Sequence, residues 1–142
     1  MRILGLDVGT KRIGVSMSDE LLLTAQGMQT IYRNDLERDL EMIAKLVKEY
    51  SVLEVVVGLP LSMDGSHSAK TKEVVEFMDN LSRAIDVPIK TWDERLTTVM
   101  AERAMLEGDM SRAKRRKLTD KLAAQIILQG YLDRRRKGQT NV

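Results

Sequence analysis

The stretch from Ile3 to Val15 reads Ile-Leu-Gly-Leu-Asp-Val-Gly-Thr-Lys-Arg-Ile-Gly-Val and holds one carboxylate, Asp7, inside an apolar run. An apolar run that is closed by a Gly-Thr turn and followed by a second apolar stretch predicts a buried central strand entering a hairpin. A carboxylate at the end of such a strand is costly unless a basic partner, a ring of backbone donors or a metal ion compensates its charge. Asp7 is therefore the first candidate for a functional group.

The composition limits the classes of protein and of site. A length of 142 residues predicts a single domain over 1–142 whose core needs no disulfide or structural metal. No apolar run approaches the length of a membrane span, and the chain enters a strand without a signal-peptide pattern. With no cysteine and one histidine, a Cys/His zinc site, thiol catalysis and a disulfide framework are excluded. We expect a cytoplasmic protein without a membrane partner, in which any metal has oxygen ligands, as Mg²⁺ and Mn²⁺ prefer.

Basic residues are concentrated near the end of the chain. Residues 1–110 carry 13 Lys and Arg against 19 Asp and Glu, whereas residues 111–142 carry 10 against 2. One basic cluster precedes the last predicted helix and consists of Arg112, Lys114, Arg115, Arg116 and Lys117. A second cluster lies in a C-terminal tail, 134–142, that we expect to be frayed. Clustered Lys and Arg bind polyanions by charge attraction and counterion release, which favours a nucleic-acid partner over a merely solvated basic surface.

The hydrophobic pattern predicts the order β-β-β-α-β-α-β-α-α. The predicted elements are strands at 2–8, 12–18 and about 22–31, a helix after the capping-box-like Asn34 and Glu37, a strand at 53–58, a helix at 69–86, a strand at 88–92, and helices at 98–108 and 119–135. The two late strands are each reached through a helix, so right-handed crossovers place them parallel to one another beside the first strand. We therefore predict an α/β fold with a five-stranded mixed sheet, in which an antiparallel three-stranded meander adjoins two parallel strands flanked by helices.

Further acids follow at the end of the fifth predicted strand, Asp93-Glu94, and in the first turn of the last helix, Asp120. Ligands bind beyond the carboxyl ends of parallel strands in such sheets, where Asp7 and the Asp93-Glu94 pair both fall. Neighbours on a strand point to opposite faces, so only one of this pair can aim at Asp7 if the strand runs through both. We favour Glu94 for its longer side chain, although a turn at the strand end leaves both open. Each acid also has a structural explanation, namely an ion pair for Asp7 and stabilisation of a helix N-terminus for the others.

Three carboxylates from two strands and a helix form a suitable ligand set for one or two Mg²⁺ or Mn²⁺ ions. Paired ions about 3.5–4 Å apart activate a water and stabilise the leaving oxygen of a phosphodiester. The candidate catalytic residues are Asp7, Glu94 and Asp120, and Asp93 is a further candidate metal ligand. The basic residues that flank these acids are candidates for contacts with phosphates: Lys11, Arg12 and Arg95.

Three segments, LDVGTKRIGV at 6–15, VGLPLSMDG at 57–65 and WDERLTT at 92–98, precede Asp120 with its following alanines and span nearly the whole chain. This set resembles the YqgF/RuvX family, the Holliday-junction-resolvase-like family of the ribonuclease-H-like superfamily. The resemblance implies a ribonuclease-H-like fold, a cytoplasmic location, divalent-metal phosphodiesterase chemistry and a role in maturing the 5′ end of 16S ribosomal RNA, with the ribosome as a partner. It also implies that Asp7, Glu94 or Asp93, and Asp120 take the catalytic positions.

One departure from the wider resolvase pattern bears on the site. Related resolvases carry an acid just after the fourth strand, where this chain reads Gly58-Leu59-Pro60, so the second carboxylate has to come from Asp93-Glu94. Three alternative functions stay open at this point: a DNA resolvase acting on branched DNA as a symmetric dimer, a non-catalytic nucleic-acid-binding ribosome-assembly factor, and a nucleotide-binding domain whose phosphate loop is Asp7-x-Gly9-Thr10. A nuclease of precursor RNA is expected to act as a monomer or a weak homodimer.

Overall fold

The computed structural model describes the backbone of residues 1–96 and 112–140, with side chains for 1–96 and 122–138. Within these ranges, five strands, three α-helices and one short 3₁₀ turn follow one another along the chain. Their bounds are β1 Arg2–Val8, β2 Arg12–Ser18, β3 Ala25–Tyr32, α1 Leu36–Glu49, β4 Val52–Leu59, α2 Ala69–Ala84, β5 Ile89–Asp93, the 3₁₀ turn Glu94–Leu96, and α3 Arg112–Thr140.

The strands form one sheet in the spatial order β3-β2-β1-β4-β5. The β1–β2 and β2–β3 pairs are antiparallel, and the β1–β4 and β4–β5 pairs are parallel. The predicted five-stranded mixed sheet, with its meander and its two late parallel strands, is therefore confirmed. β1 is the central strand, because it has the antiparallel hairpin on one side and the parallel pair on the other.

Helices cover the two faces of the sheet unequally. Alternate residues of β1 point to opposite faces, so Leu4 and Leu6 pack into a large apolar cluster with residues of α1 and α2 such as Ile43 and Phe77. On the other face, Ile3 packs into a second cluster that is covered by α3. The α3 side chains in that cluster are Ala123, Ile127, Leu128 and Leu132. Asp7 belongs to the same alternate set as Ile3, so its side chain is on the α3 face of the sheet.

Several predicted element ends differ from the structure. The N-cap of α1 is Asp35, which accepts a hydrogen bond from the Arg38 backbone at 2.8 Å, and it replaces the predicted cap at Asn34. β3 begins at Ala25, three residues after the predicted start of that strand. The helix cap shifts by one residue because Asn and Asp are both good caps. The start of β3 shifts because Leu22 and Leu23 are apolar like strand residues but do not belong to the sheet.

Helix α3 is much longer than its apolar pattern predicts. It begins at Arg112 rather than near residue 119, so the basic cluster at 112–117 lies inside the helix and not before it. Residues 134–140, for which we predicted a frayed tail, continue the same helix. Arg, Lys and Ala are good helix formers, but a run that consists mainly of basic residues carries no periodic apolar signal for the start of a helix. The predicted helix at 98–108 lies outside the described residues.

No helix in the described ranges is both long and apolar enough to cross a membrane.

Candidate active site

Asp7 is the next-to-last residue of β1, at the carboxyl end of the strand, and its side chain is only 9% exposed. Two residues earlier on the same face, Gly5 lets α3 approach the sheet closely, since a Cβ there would come within 2.8 Å of Leu128 Cβ and 3.3 Å of the Ala124 carbonyl oxygen. The Asp7 carboxylate therefore lies at the edge of the sheet surface that α3 covers. A nearly buried acid on the central strand has a rigid backbone, which suits a preorganised site.

The side chain of Glu94 comes to the same place from β5. Leu6 pairs with Val57 and Gly58 pairs with Trp92, so Asp7 is next to Gly58 in the row that crosses the ends of the parallel strands. A Cβ placed on Gly58 would stand 3.1 Å from Glu94 Oε1, which shows that the Glu94 carboxylate lies over this glycine. Asp7 and Glu94 thus flank Gly58 on one face of the sheet. This juxtaposition joins two of the three candidate catalytic acids.

Asp93 has a different environment from its neighbour. Its carboxylate accepts hydrogen bonds from Nε and Nη2 of Arg95, the latter at 2.7 Å, and from the Arg95 backbone N–H at 2.9 Å. The hydrogen bonds from the Arg95 side chain lower the pKa of Asp93 below its ordinary value, and the backbone bond acts in the same direction. A guanidinium neutralises Asp93, whereas the Glu94 carboxylate lies over Gly58 on the face of the sheet that carries Asp7, so Glu94 is the better candidate for a metal ligand.

Arg95 also joins two segments of the chain. Its Nη1 donates to the Met63 carbonyl at 3.2 Å, so the guanidinium links the end of β5 to the loop between β4 and α2. The same Nη1 atom lies 3.4 Å from the Cβ position of Gly65, whose φ of +86° is in the left-handed region that favours glycine. All three guanidinium nitrogens of Arg95 are thus engaged within the protein. Our sequence-based role for Arg95 as a phosphate contact does not account for this linkage.

A buried hydroxyl on β2 is one of the groups that hold α3 against the sheet. Ser16, which is fully buried on β2, donates from Oγ to the Ala124 carbonyl at 2.7 Å. This bond joins α3 to the hairpin that contains Asp7. Asp120 belongs to α3, one helical turn before Ala124. Its side chain, like those of the basic cluster at 112–117, lies outside the described residues.

Oxygen ligands of the right type are present, but the described side chains do not complete a metal site by themselves. Among those side chains, no three acidic or histidine groups lie close enough together to hold an ion. Asp7 and Glu94 supply carboxylate oxygens, which are the ligands that Mg²⁺ and Mn²⁺ prefer. The donor set therefore fits such an ion if Asp120 supplies the third carboxylate.

The candidate phosphate contacts on the hairpin differ in exposure. Lys11 is exposed in the β1–β2 turn, and Arg12 is half-buried at the first position of β2. Both lie within five residues of Asp7 in the chain, at the same end of the sheet. Their place beside the acids is consistent with contacts to phosphates next to a cleaved bond.

Two features of the site escaped sequence reasoning. Gly58 follows three valines in a predicted strand. A glycine in a strand often marks a place where another group approaches the backbone closely, so the sequence did contain a signal for the room that Gly58 leaves. The bond from Ser16 to α3 joins residues 108 positions apart, and nothing local to Ser16 indicates it.

Comparisons with known proteins identify the relatives of this chain. The family model described as RuvX, Holliday junction resolvase, matches residues 1–134. A protein of Clostridium kluyveri named "Putative pre-16S rRNA nuclease" is 53% identical over 134 residues, covering 94% of this chain and 98% of its own. A protein of Halothermothrix orenii with the same name is 51% identical over 137 residues, covering 96% of this chain and 98% of its own.

Among solved structures, Thermus thermophilus RuvC in complex with a Holliday junction superposes with a TM-score of 0.60 at 16% identity, over 95% of each chain. At this identity the likeness concerns the fold, which is ribonuclease-H-like as predicted. The match over residues 1–134 and the relatives that are half identical over nearly their whole length together show that this chain belongs to the RuvX family.

Proposed function

We propose that this protein is a divalent-metal-dependent nuclease that hydrolyses phosphodiester bonds in precursor 16S ribosomal RNA and matures its 5′ end. The observation that carries the proposal is the placement of the Glu94 carboxylate over Gly58, the residue that lies beside Asp7 in the register of the parallel strands, at the carboxyl ends of three adjacent strands. Relatives about half identical to this chain, and named for pre-16S rRNA, support the substrate. The cytoplasm, where such precursors and the ribosome are found, is the expected location.

The acids would hold the metal in this proposal. Asp7, Glu94 and Asp120 are the proposed ligands for Mg²⁺ or Mn²⁺, and Asp93 is the weaker candidate because Arg95 already neutralises it. When bound in such a site, the ion lowers the pKa of a water and offsets negative charge on the phosphodiester. The protein contributes the rigid placement of the carboxylates, since Asp7 is on the central strand and Glu94 rests against a surface that α3 covers.

Positive groups around the acids would bind and orient the RNA. Lys11 and Arg12 are placed at the same end of the sheet as Asp7, and we assign to them the phosphates next to the cleaved bond. The basic cluster at 112–117 (Arg112, Lys114, Arg115, Arg116, Lys117) would contact phosphates farther along the strand. Arg95 has a different assignment here: it holds the β4–α2 loop against the end of β5 and so keeps the chain beside Glu94 in place.

The test is cleavage of end-labelled precursor 16S RNA and of a four-way DNA junction, each with Mg²⁺, with Mn²⁺ and with EDTA. We expect metal-dependent cutting of the RNA that falls by about a hundredfold or more in Asp7→Asn and Glu94→Gln. Asp86→Asn, which removes an exposed acid away from the site, is the matched control and should cut normally. Mn²⁺ binding measured by titration calorimetry should weaken in the two site variants and not in the control.

Each contrary result points to a specific failure. Preferred cutting of the junction would replace the RNA substrate by branched DNA and would require a symmetric dimer. RNA binding without cutting, indifferent to metal, would make the protein a non-catalytic assembly factor. Normal cutting by Asp7→Asn would show that the acids are not the catalytic site.

A further inference from the structure

A second concave site lies on the other side of the β1–β2 turn from Asp7. It is a surface groove of about 640 Å³ between that turn, the end of β3 and the helices α1 and α2. Its volume is within the range typical of sites for small molecules and cofactors. The Asp7 side chain is on the α3 face of the sheet, whereas the groove opens on the face covered by α1 and α2. Thr10 and Lys11 of the turn line the groove, and this turn follows Asp7 closely in the chain, so it lies between the two sites.

The floor of the groove is built around Arg33. Its Nη1 donates to the Gly9 carbonyl at 2.9 Å, its Nε donates to Asp39 at 3.3 Å, and its guanidinium lies 5.2 Å from the centre of the Phe77 ring. Asp39 is only 2% exposed, so this ion pair is largely shielded from water. Arg33 thus ties the turn to both helices, and the groove is preformed.

The charges on the walls are divided. Lys11 stands on the turn, while Glu73 and Glu76 stand on the α2 wall, both exposed. Tyr32 is 55% exposed at the lip. A channel that only tracks a phosphate backbone would be basic throughout, and two carboxylates in one wall disfavour a triphosphate. The arrangement instead suits a ligand with one anionic end, an aromatic body and hydrogen-bond donors at its far edge.

We propose that this groove binds one unpaired guanosine nucleotide of the RNA strand that the acidic site cleaves. The phosphate would contact Lys11, the base would stack on the Tyr32 ring, and Glu73 or Glu76 would accept from the base. Guanine fits because its Watson–Crick edge presents adjacent N1–H and N2–H₂ donors, which a carboxylate accepts as a pair. Unpaired bases in RNA are commonly recognised by such stacking and edge contacts.

The inference rests on the proposed function, because it places the nucleotide on the strand that reaches Asp7 around the turn between the two sites. It adds to that function a base preference beside the cleavage site. The acidic site hydrolyses a backbone common to all nucleotides and has no reason of its own to prefer one base. The groove would supply that selection.

The test measures binding by fluorescence anisotropy in EDTA, so that no cleavage occurs. The probes are labelled short oligouridines with one central guanosine, inosine or adenosine, and an all-uridine oligomer. We expect the guanosine probe to bind about tenfold more tightly than all-uridine, with inosine losing most of the gain because it lacks the N2 amino group. Glu73→Gln/Glu76→Gln should abolish the preference, and Glu41→Gln/Asp79→Asn, which changes two exposed acids outside the groove, should retain it.

Stacking has its own pair of variants. Tyr32→Leu should weaken binding of the guanosine probe by about tenfold, whereas Tyr32→Phe should keep the wild-type affinity because the ring is retained. Equal affinities for all probes in the wild type would overturn the proposal. So would a uniform gain of affinity for every probe in Glu73→Gln/Glu76→Gln, because the carboxylates would then act only by repelling phosphates.

Failure of this inference can be told apart from failure of the proposed function. Metal-dependent cleavage without any base preference would overturn the groove and leave the nuclease intact. A guanosine preference in a protein that cuts no RNA under any metal condition would overturn the nuclease and leave a base-reading site.

Discussion

Gly58→Ala is the substitution that tests the site most directly, because it adds one methyl group between α3 and Glu94. The new Cβ would stand 2.5 Å from Ile127 Cδ1 and 3.1 Å from Glu94 Oε1. Gly58 does not have a left-handed backbone, so the effect is steric rather than conformational. Ile127 is fully buried and has to shift within a packed cluster.

The two close contacts predict two separate effects. Overpacking against Ile127 should lower the free energy of unfolding by about 1–3 kcal/mol, which is roughly 3–10 °C in melting temperature for a domain of this size. Displacement of the Glu94 carboxylate by a few tenths of an ångström should lower the rate of RNA cleavage by about tenfold, since misplacement by about 1 Å can cost a hundredfold.

A second substitution separates these effects. Ile127→Val removes the Cδ1 atom that meets the new methyl group and costs about 0.5–1.5 kcal/mol on its own. The loss of stability in Gly58→Ala/Ile127→Val should therefore be about 1 kcal/mol smaller than the sum of the losses in the two single variants. Cleavage should stay low in the double variant, because the contact between the new methyl group and Glu94 is unchanged. Urea denaturation and single-turnover cleavage measure the two quantities.

The matched control is Gly138→Ala, at a helical glycine whose Cβ position has no described atom within 4 Å apart from the backbone of its own helix. It should leave cleavage unchanged and stabilise the helix by up to about 1 kcal/mol. A Gly58→Ala protein that is as stable and as active as the wild type would refute the packing argument. Full recovery of cleavage in the double variant would show that Glu94 is not displaced.

Three further substitutions test other contacts. Ser16→Ala should lower the free energy of unfolding by about 1 kcal/mol in urea denaturation, because the buried hydroxyl no longer donates to the backbone of α3. Tyr131 donates to the buried Glu54 carboxylate, and burial together with this bond raises the pKa of Tyr131 to about 12. The folded protein therefore holds this proton more tightly than the unfolded chain, so stability should fall as the pH rises from about 10 to 12. Tyr131→Phe should remove the phenolate absorbance step at about pH 12; a step that persists would assign it to another tyrosine. Arg95→Met should raise the pKa of Asp93, as followed by carboxyl ¹³C NMR, and an unchanged pKa would contradict the role of that guanidinium.

Local pattern was enough for most of the fold. Apolar runs of strand length, such as Ile3–Val8 and Val55–Val57, predict the buried strands, and crossover handedness then places β4 beside β1. The sequence pattern was insufficient where an element is not stabilised by burying a regular apolar face. The first two turns of α3 consist largely of basic residues and present no periodic apolar face, so their helical state had no signal at that level.

In the candidate site too, one part was predictable from the sequence and another part was not. An acid inside an apolar run marks Asp7 by the sequence alone, because burial of a charge needs a reason wherever the strand lies. Alternation cannot choose between Asp93 and Glu94, since the chain turns at the end of β5. The contacts of the folded chain separate the two acids: the nearby Arg95 guanidinium binds Asp93, and the bare surface of Gly58 on the neighbouring strand leaves room for Glu94. The sequence by itself therefore indicated which residue types and strand ends are candidates for the site, whereas the tertiary structure placed the Glu94 carboxylate over Gly58, because that placement depends on the space left by residues distant in the chain.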